Sequence, residues 1–110
     1  MLVYSNDSLE KFQKDIYGRL IRIHWDEHIV QLPNQFNTGT RDAYCNNEAT
    51  IDVGDSRSVI IERIIGSCYT TGGELAAINN QLVNPDAYAV YQALRATAKS
   101  LADEYLGLIG

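Results

Sequence analysis

Apolar residues recur at Leu9, Phe12, Ile16 and Tyr17, which is helical spacing. Ser5, Asn6, Asp7 and Ser8 ahead of them offer side-chain caps, and Gly18 offers a stop. This pattern predicts a first helix over residues 8–17, preceded by a short strand over residues 1–4. In RLIRIHW (19–25) the period changes: Ile21, Ile23 and Trp25 alternate with Leu20, Arg22 and His24, and Ile and Trp favour strands. A second run, HIVQL (28–32), follows, so two strands joined by a tight turn at Asp26 and Glu27 are expected. The rival is one long helix over residues 8–32, with Gly18 in its interior at a cost of about 1 kcal/mol relative to Ala.

Residues 33–48, PNQFNTGTRDAYCNNE, are polar and rich in Asn, Gly and Thr, and read as a long loop with Phe36 and Tyr44 as its aromatic anchors. ATIDV (49–53) alternates as a strand does. RSVIIERII (57–65) is β-branched and apolar on both faces, and reads as a central strand paired with 49–53, with a helix as the alternative. In GSCYTTGGELAAINNQL, Thr71 and Glu74 have the spacing of a capping box opening a short helix. Asn84 followed by Pro85 opens the clearest element. From there Ala87, Val90, Tyr91, Leu94, Ala98, Leu101, Ala102 and Tyr105 form one apolar stripe, ending at Gly107.

The expected class is α+β: a small, mainly antiparallel sheet packed against two or three helices, with a long amphipathic C-terminal helix. A helix-dominated domain is the runner-up. A chain of 110 residues with 45% hydrophobic content suits one domain, residues 1–110. No apolar run approaches the length of a membrane span, and MLVYSNDSLEKF lacks the pattern of a secretion signal. A cytoplasmic protein without a membrane partner is expected.

The net charge of −5 leaves little material for a phosphate-neutralising face, which disfavours nucleic acid as a partner. Cys45 and Cys68 form neither a disulfide framework nor a metal clip. No cofactor is implied.

Residues 24–28, HWDEH, spell His-x-x-Glu-His, the pattern of the inverted zinc peptidases. Metal binding would require His24 and His28 on one face of a helix, plus a third ligand. In the expected hairpin the two rings flank a turn instead, so no metal site is assigned and the histidines stand as weak candidates. Thr70, Thr71, Gly72 and Gly73 combine hydroxyls, close backbone approach and a helix start, the chemistry of an anion site. Arg57 or Arg63 would supply the counter-charge. Glu74 would compete for the same N–H groups, so a well-capped helix is the simpler reading of the segment. Asp52, Asp55 and Glu62 form no recognisable acid–base pair.

Seven tyrosines stand against two phenylalanines and one tryptophan, and Tyr is enriched at interfaces. Tyr88, Tyr91 and Tyr105 on the last helix, with Phe36 and Tyr44, are the expected interface residues. The resulting expectation is a small, acidic, non-enzymatic interaction module, an adaptor or inhibitor. It would act through a tyrosine-rich surface and the long polar loop, and would bind a protein partner or its own copies. The alternatives are a binder of a nucleotide or other small anion at residues 70–74, and a small enzyme using His24, His28, Glu27 or Cys45.

Overall fold

A computed structural model describes residues 1–34 and 38–109. Among the described residues it holds four strands and three helices: β1 (Leu2–Ser5), β2 (Phe12–Lys14), β3 (Leu20–Pro33), β4 (Thr40–Asp52), α1 (Arg57–Gly66), α2 (Thr71–Asn79) and α3 (Pro85–Ile109). The α+β class is therefore correct. The chain divides into two compact units, Met1–Val53 and Gly54–Gly110. The first contains the sheet and the second the helices.

The sheet is antiparallel throughout, in the order β1-β4-β3-β2. Its centre is the long β3–β4 pair, in which Ile21 faces Ile51 and Ile23 faces Ala49. These residues, with Trp25, Ala43 and Cys45, are buried and lie on one face. The period-2 alternation dictates this: one set of side chains turns to that face and Arg22, His24, Glu48 and Thr50 to the other.

The expected turn at Asp26 and Glu27 is instead a β-bulge within a continuous strand. Trp25 pairs with Asn47 and His28 with Cys45, so two residues of β3 oppose Asn46 alone. Asp26 absorbs the extra residue at φ 55°, a left-handed conformation that Asp tolerates better than most residues.

The expected helix over residues 8–17 is absent; the segment is extended and contributes only β2. Local side-chain bonds win over the helical spacing. Ser8 bonds to Glu27 rather than capping a helix, and Asp15 Oδ1 accepts the N–H groups of Arg19 and Leu20 to close a turn. The expected long loop is also largely strand. Residues 40–48 form most of β4, and their polar side chains fall mainly on the face opposite the apolar one.

In the helical unit, residues 57–65 form α1 and not the expected strand. Ser56 caps it, and Ile60, Ile64 and Ile65 turn inward at i, i+4 and i+5. Burial of one stripe overrides the β preference of Ile and Val. Opposite them α3 contributes Ala98, Leu101, Ala102 and Tyr105, all buried. The expected Asn84 cap is present, its Oδ1 accepting the Ala87 N–H at 3.2 Å. Gly107 does not stop α3, which runs on to Ile109. No helix among the described residues is long and apolar enough to cross a membrane.

Candidate functional site

The HWDEH stretch lies at the bulge, and its groups are taken up by one architectural task. β1 and β2 occupy opposite edges of the sheet, so residues 6–11 must cross from one edge to the other. They cross on the polar face, and His24 and Glu27 hold them there. The Ser8 hydroxyl donates to Glu27 Oε1 at 2.6 Å, and the Leu9 N–H donates to Oε2 at 3.0 Å. From β4 the buried Asn46 amide donates to the same Oε2 at 3.1 Å.

His24 is 3% exposed and engaged at both ring nitrogens. Nδ1 lies 2.7 Å from the Glu10 carbonyl and Nε2 lies 2.9 Å from Glu48 Oε2. A carbonyl can only accept, so Nδ1 carries a proton. His28 points to the opposite face, because the bulge reverses the side-chain alternation between them. Its Nδ1 meets the Asp26 carbonyl at 2.9 Å. The two imidazoles do not converge, and among the described residues no group of three His, Cys, Asp or Glu side chains could hold a metal ion. The register sets Cys45 opposite His28, but the Cys45 thiol is buried.

Three hydrogen bonds, from Ser8 first and then Asn46 and Leu9, outweigh burial and hold the Glu27 carboxyl below its ordinary value of 4.5, with the charge of His24 adding to them. A depressed carboxylate stabilises the fold above its unfolded pKa, and that stability is lost as pH falls through the folded value. Urea denaturation is therefore expected to show constant sheet stability until pH drops below about 4.5, then a decline. Glu27→Gln is expected to lower stability at neutral pH and flatten this acid limb; an unchanged limb would place the responsible charge elsewhere.

The residues of the expected anion site all lie in the helical unit. Thr70, rather than Thr71, is the N-cap of α2, with its Oγ1 accepting the Gly73 N–H at 3.0 Å. Glu74 does not complete a capping box. Its Oε1 instead accepts the Tyr91 hydroxyl at 2.8 Å, tying α2 to α3. Arg57 and Arg63 are on α1, not on a strand. Arg57 forks onto Asp103, with its Nε 2.6 Å from Oδ1, and Arg63 Nε lies 3.0 Å from Asp55 Oδ2. Beside Gly73 a cleft of about 240 Å³ opens, lined also by Tyr69, Ala76, Ala77, Asn80, Asn84 and Ala87, whereas Thr70, Thr71 and Gly72 do not line it.

Two of the expected interface tyrosines are core residues instead. Tyr91 and Tyr105 are buried, because each falls on the inward stripe of α3. Tyr91 stands edge-on to Tyr69 with ring centroids 5.2 Å apart. Burial, then the Glu74 contact, pushes the Tyr91 phenol above its ordinary value; burial and the charge of Asp55 do the same at Tyr105. Tyr88 is half-buried beside Gln92, and Tyr44 is half-buried in β4. Phe36 lies outside the described residues.

The surface that sequence reasoning missed is α2 itself. None of its side chains is buried, although Leu75 and Ile78 share one face. Beyond its end Leu82 and Val83 are 95% and 86% exposed, and Val90 on α3 is exposed as well. The available signal was the run LAAINNQLV, apolar at 75, 78, 82 and 83 but without a partner stripe of matching length. No family model matches the chain, and no curated protein or solved structure shows significant similarity to it.

Proposed function

We propose that the chain is a non-enzymatic interaction module, an adaptor or inhibitor, that presents protein-binding surface and associates with its own copies. The observation that carries this reading is the exposure of the apolar side of α2. A nine-residue helix is too short to be stable alone in water and normally gains its stability by burying a face. Here the Glu74–Tyr91 bond anchors α2, while Leu75, Ile78, Leu82 and Val83 remain available to a second surface. Clusters of this kind mark interaction sites more often than they decorate a monomer. Light scattering over a wide concentration range is expected to show a dimer dissociating on dilution. Leu75→Asp combined with Leu82→Asp is expected to leave a folded monomer at every concentration, since neither side chain is buried within the chain. A parent that is monomeric throughout would defeat the self-association.

The second reading, a small anionic ligand beside residues 70–74, is favoured by the cleft at Gly73. Its volume of about 240 Å³ falls below the roughly 300 Å³ at which ligand pockets usually begin. Arg57 and Arg63 are already paired with Asp103 and Asp55. A Cβ at position 73 would come within 3.2 Å of Thr70 Oγ1, so Gly73→Asp would close the site. Thermal stabilisation by phosphate or a nucleotide that disappears in Gly73→Asp would move this reading to the front.

A further inference from the structure

The turn between β2 and β3 displays two apolar side chains that the sheet does not use. Ile16 is 91% exposed and Tyr17 is 78% exposed. A flexible loop with such residues would be unremarkable, but this turn is held from within. Gly18 N–H donates to the Asp15 carbonyl at 3.1 Å, and Asp15 N–H donates to the Leu20 carbonyl at 3.0 Å. Asp15 Oδ1 accepts from Arg19 N–H at 2.8 Å and from Leu20 N–H at 3.2 Å. Gly18 supplies the left-handed residue that closes the turn, at φ 69°. Ile16 and Tyr17 thus stand on a pre-shaped tip, which lowers the ordering cost of binding.

The charge around the tip is opposite to that of the chain. From Lys14 to Arg22 there are three cations, Lys14, Arg19 and Arg22, and one acid, Asp15, in a chain of net charge −5. All three cations are exposed. The one acid is turned inward onto backbone N–H groups, which together with Arg22 overcome the opposing effect of burial and keep its carboxyl below the ordinary value. Asp52 of β4, opposite Leu20, adds a second acid, so a partner approaching the tip meets two apolar side chains among three exposed cations and a net positive charge.

We propose that the β2–β3 turn is a docking finger whose Ile16 and Tyr17 enter an apolar socket rimmed by carboxylates on a partner protein. Tyr is among the residues that most often dominate an interface when seated in a desolvated pocket. The excess of cations favours acidic sockets and speeds encounter. A protein socket fits better than an anionic bilayer. Charge is screened over about 8 Å at physiological salt, so a local acidic rim feels the finger alone. A flat bilayer would face more of an acidic chain, with only two side chains to insert. The test of this surface uses different residues from that of the α2 strip.

The experiment places a photo-crosslinking benzoylphenylalanine at position 17 of the full chain, in the cells that produce it, with the same group at exposed position 96 as control. The protein cross-linked only from position 17 is identified, purified and titrated against the parent. Expected is saturable binding that Ile16→Ser and Arg19→Glu each weaken by roughly tenfold or more, without a change in melting temperature. The binding is also expected to weaken with added salt, and the cross-linked peptide of the partner should be acidic and apolar. No adduct beyond the control overturns the proposal, as does binding indifferent to both substitutions. Binding of the parent, but not of Ile16→Ser, to phosphatidylserine vesicles would also overturn it, by assigning the finger to lipid.

Discussion

Replacing His24 by alanine is expected to lower the unfolding free energy by roughly 3–5 kcal/mol, the range for breaking a buried pair on one side. The ring bridges the Glu10 carbonyl of the crossing segment and the Glu48 carboxyl of β4, so its removal leaves both oxygens without their partner. The Glu48 side chain is only 14% exposed, and water restores little of the loss. Denaturant unfolding gives the magnitude, and hydrogen exchange gives the location. The Leu9 amide, held by Glu27, and the His24 amide, held by the Lys11 carbonyl, are expected to exchange faster as the crossing segment loosens. A variant as stable as its parent, with both amides still protected, would show that the ring does not hold the segment.

The second large effect is expected from Ile51→Ala. Ile51 is fully buried and faces Ile21 across the β3–β4 pair, so truncation removes apolar contacts and leaves a cavity, at about 2–5 kcal/mol. Ile29, in β3 of the same pair, is 60% exposed, and Ile29→Ala is expected to cost no more than about 0.5 kcal/mol. The two substitutions delete the same atoms from one sheet, so a difference in denaturation midpoint measures burial alone. Equal costs would contradict the placement of the apolar face.

Period-2 patterning at Ile21, Ile23 and Trp25 was legible as strand, and the Asn84–Pro85 start of α3 was legible to the residue. Both signals are local: alternation follows from the pleat, and the cap needs only atoms within three positions. The segment over residues 8–17 was misread because Leu9, Phe12 and Ile16 happen to fall at helical spacing. Phe12 pairs with Ile23, and Ile16 sits at the tip of a turn. Residues 57–65 were misread in the opposite direction, since β-branched content outweighed the Ser56 cap and the i, i+4 placement of Ile60 and Ile64.

The candidate sites divide in the same way. Thr70 to Glu74 could be placed at a helix start from the sequence. That His24 and His28 stand on opposite faces depends on one extra residue in β3, visible only once β4 is paired beside it. That Tyr91 is interior while Leu82 is bare depends on which stripes of α1, α2 and α3 meet. The sequence by itself determined the α+β class, the strand at residues 19–25 and the long last helix, because each is written in bonds and periods a few residues long. Only the tertiary structure decided the bulge, the crossing segment and the exposed side of α2. Hydrogen bonds between residues nineteen to twenty-four positions apart, and the burial of one stripe against another, have no local signature in the chain.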